Sequence, residues 1–346
     1  MIELSSDIGS ADKHKQFSSG FRESSSSSRK AVTDRTSGQI PVICAENLVK
    51  TFGIFHKVNS VNGISFQINS GEIVGLLGGN GAGKSTTFDM LSGLTRPTGG
   101  KISLFDSQTQ AWIPITNVPL YRRALHGICY LPQKPSVFAG LTTRQNLLGI
   151  MEIMSSRDLK KSMEAYDPSL QTREDFCDSL LTLFDLYKRR DEKVSKLSGG
   201  EKRRLEIARS FIRKPRLILM DEPFAAVDIP GIDICGQMFR KVRDMGVSIL
   251  IVDHRVDEIL KLCDRAIYLE NGIIHAEGKP WEIVRVPAVQ RNLLLALTES
   301  LLKMFPEPEE KMNEKIQNEN FHGENESRFF QTRPMSTSTT VRVEEI

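Results

Sequence analysis

Three groups of residues in this chain have types and spacings that do chemistry. Gly78, Gly79, Asn80, Gly81, Ala82, Gly83, Lys84 and Ser85 fit the pattern G-x-x-x-x-G-K-[ST]. Glycines in such a loop let backbone N–H groups curl around a phosphate, and the start of the following helix adds partial positive charge. Lys84 would place a full charge on the β/γ-phosphates, the Ser85 hydroxyl would reach Mg²⁺, and Thr86 completes the nucleotide-binding segment. The second group is Asp221-Glu222, at the end of an apolar run. One carboxylate can hold the water shell of Mg²⁺ and the next can take a proton from an attacking water. The third is Leu197-Ser198-Gly199-Gly200-Glu201, in which Ser198 and the N–H groups of Gly199 and Gly200 open a helix as a second anion nest. One nucleotide in one fold does not need two such nests.

These residues need rigid elements to hold them. Ile73 to Leu77 reads as a strand buried on both faces that runs into the phosphate loop. The helix from Lys84 ends at Gly93, a left-handed cap. Leu217 to Met220 and the run VSILIV (Val247 to Val252) are further apolar strands, ending at Asp221-Glu222 and at Asp253-His254. Ligands bind at the carboxyl ends of strands in a parallel sheet, so these ends belong together. Gly127 to Leu131 is another strand, ending at Pro132-Gln133, and Asn271-Gly272 marks a tight hairpin. Before the loop, residues 42–52 and the alternating Ile64, Phe66 and Ile68 read as two strands. Phe52 lies between these elements, where an aromatic ring serves either a core or a stacked adenine. Asp106 to Pro119 reads as a loop carrying an exposed Trp112.

Residues 134–196 change to a helical texture. Thr142 with Gln145 and Thr172 with Asp175 form capping-box patterns. Ser155 to Gln171 is charged, is broken at Asp167-Pro168, and reads as a surface insertion. The fold class is α/β: a mostly parallel sheet flanked by helices, with an antiparallel N-terminal β region and an inserted helical subdomain. The expected domains are a nucleotide-binding domain over 41–287, a C-terminal helix over 288–305 with Val289, Leu293, Leu297 and Leu301 on one face, and two disordered tails. One tail is the serine-rich 1–40 with its block Ser24 to Ser28, and the other is the charged 306–346.

The chain has 346 residues, 39% of them hydrophobic, and its 46 basic and 43 acidic residues leave a net charge of +3. That balance argues against a dedicated nucleic-acid binder. The five cysteines are scattered and never form C-x-x-C, which points to reduced thiols with neither a disulfide framework nor a zinc site. No apolar run reaches the roughly 20 residues that span a bilayer, and no signal-peptide pattern opens the chain. The expectation is a cytoplasmic protein.

The loop GGNGAGKS, Gln133, LSGGE, LILMDEP and His254, in that order, resemble the ATPase subunits of ABC transporters over roughly residues 42–290. The resemblance implies ATP and Mg²⁺ as cofactors, and roles for particular positions. Phe52 would stack on adenine. Gln133 would sense Mg²⁺ and the membrane partner, and Ser198, Gly199 and Gly200 would meet the γ-phosphate held by a second subunit. Glu222 would be the general base, Asp228 an inter-subunit contact and His254 a γ-phosphate ligand, with Lys84 completing the catalytic set and Asp221 joining Ser85 and Gln133 at the metal. It further implies transmembrane permease subunits, a second ATPase subunit forming a head-to-tail homodimer, and a peripheral place on the cytoplasmic face of the inner membrane, with the helical subdomain and Phe138 facing the permease.

Within that family, SGEIVGLLGGNGAGKSTTF, GICYLPQKPSVF, LSGGEKRRLEIAR, DEPFAAVD and the DHRV around His254 are similar to the lipopolysaccharide-export ATPases. Branched-chain amino-acid importer ATPases are the alternative. Gly79 departs from the proline usual there; glycine makes the loop less restrained, by up to about 1 kcal/mol of chain entropy. Related DNA-repair ATPases carry a long coiled coil between the phosphate loop and the signature, and this interval holds only short helices. A two-cassette translation factor needs a second phosphate loop, which is missing, and a non-catalytic binding module would show a damaged motif.

Overall fold

The computed structural model describes residues 40–53, 56–225, 227–293 and 298–306. Residues 1–39 and 307–346 of the two tails, with the serine block in the first, and Leu297 lie outside the described residues.

The described residues form two sheets. The first is antiparallel, in the order β2-β1-β4-β5, from β1 (Pro41–Phe52), β2 (Val58–Asn69), β4 (Gly99–Asp106) and β5 (Ala111–Pro114). In β2 the residues Ile64, Phe66 and Ile68 are buried while Ser65 and Gln67 face solvent, the alternation of a strand with one wet face. β5 corrects the reading of 106–119 as a loop. Asp106 accepts from Gln108 N at 3.0 Å and Thr109 Oγ1 at 2.8 Å, Gln110 takes φ of 54°, and the chain returns with Trp112 opposite Phe105. Their rings meet edge to face at 5.2 Å. Four residues ending in proline carry too little periodicity to announce a strand; the cross-strand pair and the turn make it.

The second sheet runs β10-β9-β3-β8-β7-β6, from β3 (Ile73–Leu77), β6 (Ile128–Leu131), β7 (Leu217–Asp221), β8 (Ser248–Val252), β9 (Arg265–Glu270) and β10 (Ile273–Gly278). Every neighbouring pair is parallel except β9–β10, which is joined through Asn271 and Gly272, both at positive φ. Alternate residues of β3 enter different cores. Ile73 and Leu77 join the one built on the long helices; Val74 and Leu76 join the one shared with the antiparallel sheet and with α1 (Lys84–Ser92). A strand with two cores has no polar face to show, which is why its sequence is uniformly apolar. α1 ends at Gly93, at φ 85°.

Between β5 and β6 lies α2 (Leu120–Leu125), and between β6 and β7 lies the helical segment: α3 (Thr143–Glu152), α4 (Ser156–Tyr166), α5 (Arg173–Leu183) and α6 (Gly199–Phe211). α3 and α5 carry complete capping boxes at Thr142/Gln145 and Thr172/Asp175. The stretch 155–171 is more than a surface insertion. Its helix α4 buries Leu159 and Met163, four residues apart, in the same core as α5, and it stops at Asp167 before Pro168.

α7 (Ile229–Asp244), α8 (Val256–Leu262) and α9 (Pro280–Ile283) complete the layers on the sheet. The C-terminal helix is described as two pieces, α10 (Pro287–Leu293) and α11 (Thr298–Met304), whose Val289 and Leu301 are buried in that core. All five cysteines are free. Among the described residues no helix is long and apolar enough to cross a membrane.

Candidate active site

The phosphate loop leaves the carboxyl end of β3 and is held by the backbone of β2 and of the β9–β10 hairpin. A Cβ on Gly78 would stand 2.4 Å from Leu269 O, and one on Gly83 2.5 Å from Ser60 O; Gly83 is also left-handed, at φ 101°. The β9–β10 turn braces the loop, since Gly272 N donates to Ala82 O at 3.1 Å and Asn62 N to Gly272 O at 2.8 Å. Lys84 Nζ points into the loop, donating to Gly78 O at 2.7 Å and Gly79 O at 2.9 Å. Burial pulls the Lys84 ammonium below its ordinary value, and the charge of Glu222 acts the other way. Ser85 is exposed at the helix start, and Thr86 Oγ1 lies 2.7 Å from Ser60 Oγ. Asn80 and Gly81 form the open rim. Gly79 has open space where a Cβ would stand, and its φ is not left-handed.

Across from the loop, β7 delivers Asp221 and Glu222. Burial raises the Asp221 carboxyl above the usual range, the hydroxyl of Tyr130 opposes this at 3.3 Å, and Glu222 adds to the rise. The Tyr130 phenol is pushed up to about 12, first by burial and then by Asp221 and Asp89. Glu222 is left-handed at φ 44°, a conformation costing a non-glycine residue on the order of 1 kcal/mol. Its N–H donates to Val252 O at 2.7 Å, which ties the turn to the end of β8.

The Glu222 carboxylate sits between two nitrogens: Gln133 Nε2 donates to Oε2, and His254 Nε2 lies 2.8 Å from Oε1. Asp253 fixes the turn that carries His254 by accepting from Phe224 N at 2.9 Å and Arg255 N at 3.0 Å. A carboxylate gripped at both oxygens is aimed before any substrate arrives.

The structure therefore gathers Lys84, Ser85, Gln133, Asp221, Glu222 and His254 at the carboxyl ends of β3, β6, β7 and β8. Ser198, Gly199 and Gly200 stand elsewhere. Ser198 caps α6, its Oγ accepting from Glu201 N at 3.2 Å while Glu201 Oε2 accepts from Ser198 N at 2.8 Å. Among the described residues no hydrogen bond or ion pair joins this turn to Gly78–Ser85. Asp228 is exposed at the start of α7. Phe52, 47% exposed at the end of β1, belongs to neither core, and Lys50 Nζ lies 5.0 Å from its ring centre.

Sequence reasoning gave no role to Tyr130 or Asp89, and named Asp253 only as the strand end before His254. Asp89 carried a usable signal: four residues after Ser85, it falls on the same face of α1. Its carboxyl is raised by burial and then by Asp221.

A phosphate loop facing a strand-end acidic pair, with an amide and an imidazole on the second acid, defines a nucleotide-binding ATPase. Comparison with known proteins gives the family. Residues 61–225 match the ABC transporter family model. The chain is 41% identical over 234 residues to the lipopolysaccharide export system ATP-binding protein LptB of Acidithiobacillus ferridurans, covering 68% of this chain and 90% of that one. It is 42% identical over 253 residues to LptB of Escherichia coli, covering 73% and 96%. An ATP-binding cassette of an ABC transporter solved in its ADP conformation superposes with a TM-score of 0.61 at 27% identity, covering 73% of this chain and 98% of that one. The chain belongs to the ABC transporter ATP-binding family, and it is an ATPase.

Proposed function

We propose that this ATPase powers export of lipopolysaccharide through membrane permease subunits, working as a head-to-tail pair of identical chains. The export reading rests on the relatives named for that system, which align with nearly their whole length at about 40% identity. The pairing rests on the separation within one chain: the loop at Gly78–Ser85 and the turn at Ser198–Gly200 are each equipped for phosphate, and among the described residues no hydrogen bond or ion pair joins them. Two copies related by a two-fold axis would set each loop against the other's turn, with Asp228 beside the joint.

The single observation that carries the chemistry is the Glu222 carboxylate held between Gln133 and His254. In that position Glu222 takes the proton of the water that attacks the γ-phosphate, while Lys84 and the loop N–H groups hold the phosphates. His254, on the other oxygen of Glu222, would hold the γ-phosphate, and Phe52, exposed at the end of β1, would offer its ring to adenine.

The exposed Ser85 hydroxyl, the Asp221 carboxylate and the Gln133 amide oxygen are hard oxygen donors on three converging elements, a set that suits Mg²⁺. When bound, the ion neutralises charge on the β- and γ-oxygens. The permease would dock on the helical segment, where Phe138 is 54% exposed. The chain would then sit on the cytoplasmic face of the inner membrane.

Purifying the tagged full-length protein from membranes and identifying what accompanies it tests the assignment. Permeases of the lipopolysaccharide-export type are expected. Amino-acid importer permeases would replace the cargo and leave the chemistry untouched.

A further inference from the structure

α6 does more than present the Ser198 turn. One turn further along it, Arg203 and Glu206 form an ion pair at 2.7 Å, with both side chains only 2% exposed. Such pairs at i, i+3 on a charged helix ordinarily lie in water, so burial here calls for an explanation. Both partners reach out of the helix to the segment that follows β6. Arg203 donates through Nη1 to Pro132 O at 3.1 Å and through Nη2 to Gln133 O at 3.2 Å. Glu206 Oε1 accepts from Ser136 N at 2.8 Å and Ser136 Oγ at 2.9 Å. The main chain on both sides of Gln133 is thus fastened to α6 from below, and the Gln133 amide reaches from that fastened backbone to Glu222.

We infer that Arg203 and Glu206 are positioning residues for ATP hydrolysis, fixing the backbone of 132–136 so that the Gln133 amide holds the Glu222 carboxylate. The energetics favour this over a stabilising role. A buried pair gives little net stability against apolar residues of similar volume, because desolvation offsets its attraction, whereas removing one partner strands a charge. Its return is directional: guanidinium and carboxylate together fix two carbonyls and one N–H within five residues. The same helix carries Ser198 at its start, so the segment bearing Gln133 and the turn offered to the second chain share one rigid support. Arg209, one turn beyond Glu206, extends the grip by donating to Ser136 O and lying over the Phe138 ring at 4.9 Å.

The inference rests on the reading of Glu222 as base, and the test separates the two. In the full chain, Arg203→Met with Glu206→Leu removes both charges together, keeping volume and leaving no stranded ion. The pair of changes is expected to keep the melting temperature and the nucleotide affinity near wild type while lowering kcat by roughly tenfold to a hundredfold, the range a misplaced group produces. The decisive arm repeats the pair in a Gln133→Ala background. If the pair acts through Gln133, it costs nothing further there, because two changes on one pathway do not multiply. A full additional loss in that background, or an unchanged kcat in the Gln133-bearing protein, overturns the inference. Should the double variant fail to fold, Ser136→Ala, which loses only the hydroxyl bond to Glu206, serves in the same two backgrounds; a several-fold kcat loss confined to the Gln133-bearing protein is expected. Glu222→Gln reports separately: wild-type hydrolysis by that variant would remove the base reading itself.

Discussion

Glu222 holds its place through constraints from three directions. Its backbone is left-handed, its N–H is bound to β8, and each carboxylate oxygen faces a nitrogen. Left-handed backbone on a glutamate is local strain that surrounding structure must maintain, and here it turns the side chain back over the strand ends. Glu222→Gln keeps the shape of the side chain, turns one of its two accepting oxygens into an NH₂ donor and removes the capacity to take a proton. The expected result is hydrolysis slower by roughly 10² to 10⁴-fold with nucleotide still bound, read by phosphate release beside a nucleotide titration. Hydrolysis at the wild-type rate would take the base role from Glu222. Gly79 is a second residue whose surroundings decide an outcome. Open space at its Cβ and a φ outside the left-handed region leave room for proline. Gly79→Pro is expected to raise stability by about 0.4–1 kcal/mol through the unfolded chain, measured by urea denaturation. A lower midpoint in urea would show that the loop needs glycine there.

At the scale of elements, legibility followed how much of an element's cause was local. β3, β7 and β8 were readable because strands between two cores are apolar without interruption, and their ends located Asp221, Glu222 and His254. The caps at Thr142 and Thr172 were readable because a capping box is fixed by four consecutive residues. β5 was not, because its existence depends on Phe105 meeting Trp112 across a turn. α4 showed its charge and hid its buried Leu159 and Met163. The Arg203–Glu206 pair was illegible for a similar reason: i, i+3 spacing describes a solvated surface pair equally well, and only the neighbouring segment 132–136 makes it buried. The cap at Thr142 gives a prediction at this scale. Its side chain accepts from Gln145 N at 3.1 Å and its N–H donates to Gln145 Oε1 at 2.9 Å. Thr142→Ala is expected to cost about 1 kcal/mol of stability, seen as a lower urea midpoint, with nucleotide affinity intact because α3 lies away from the phosphate loop. Weakened nucleotide binding in this variant would show that the helical segment reaches the site by a route other than Gln133.

For the whole molecule, the question is which chain completes which site. The phosphate loop and the Ser198 turn lie on separate elements of one chain: the loop opens α1 behind β3, and the turn opens α6, the last helix of the helical segment. If a two-fold pair forms with the loop of one chain against the turn of the other, each composite site takes Lys84 from one copy and Ser198 from its partner. This arrangement has a consequence that a self-contained site does not share. Lys84→Ala should abolish nucleotide binding at its own loop, and Ser198→Arg should block the site of the partner; each variant alone pairs with itself and is inactive. Mixed in equal amounts, half of the dimers combine the two variants, and each of these has one site with both defects and one with neither. Activity should therefore reappear on mixing, up to about one quarter of the wild-type sites, since half the dimers carry one intact site of two. The assay is phosphate release after co-incubation with ATP, followed as a function of mixing ratio with a maximum at equal parts. A mixture as inactive as its components would place Lys84 and Ser198 in the same chain's site, and the head-to-tail pair would have to be abandoned.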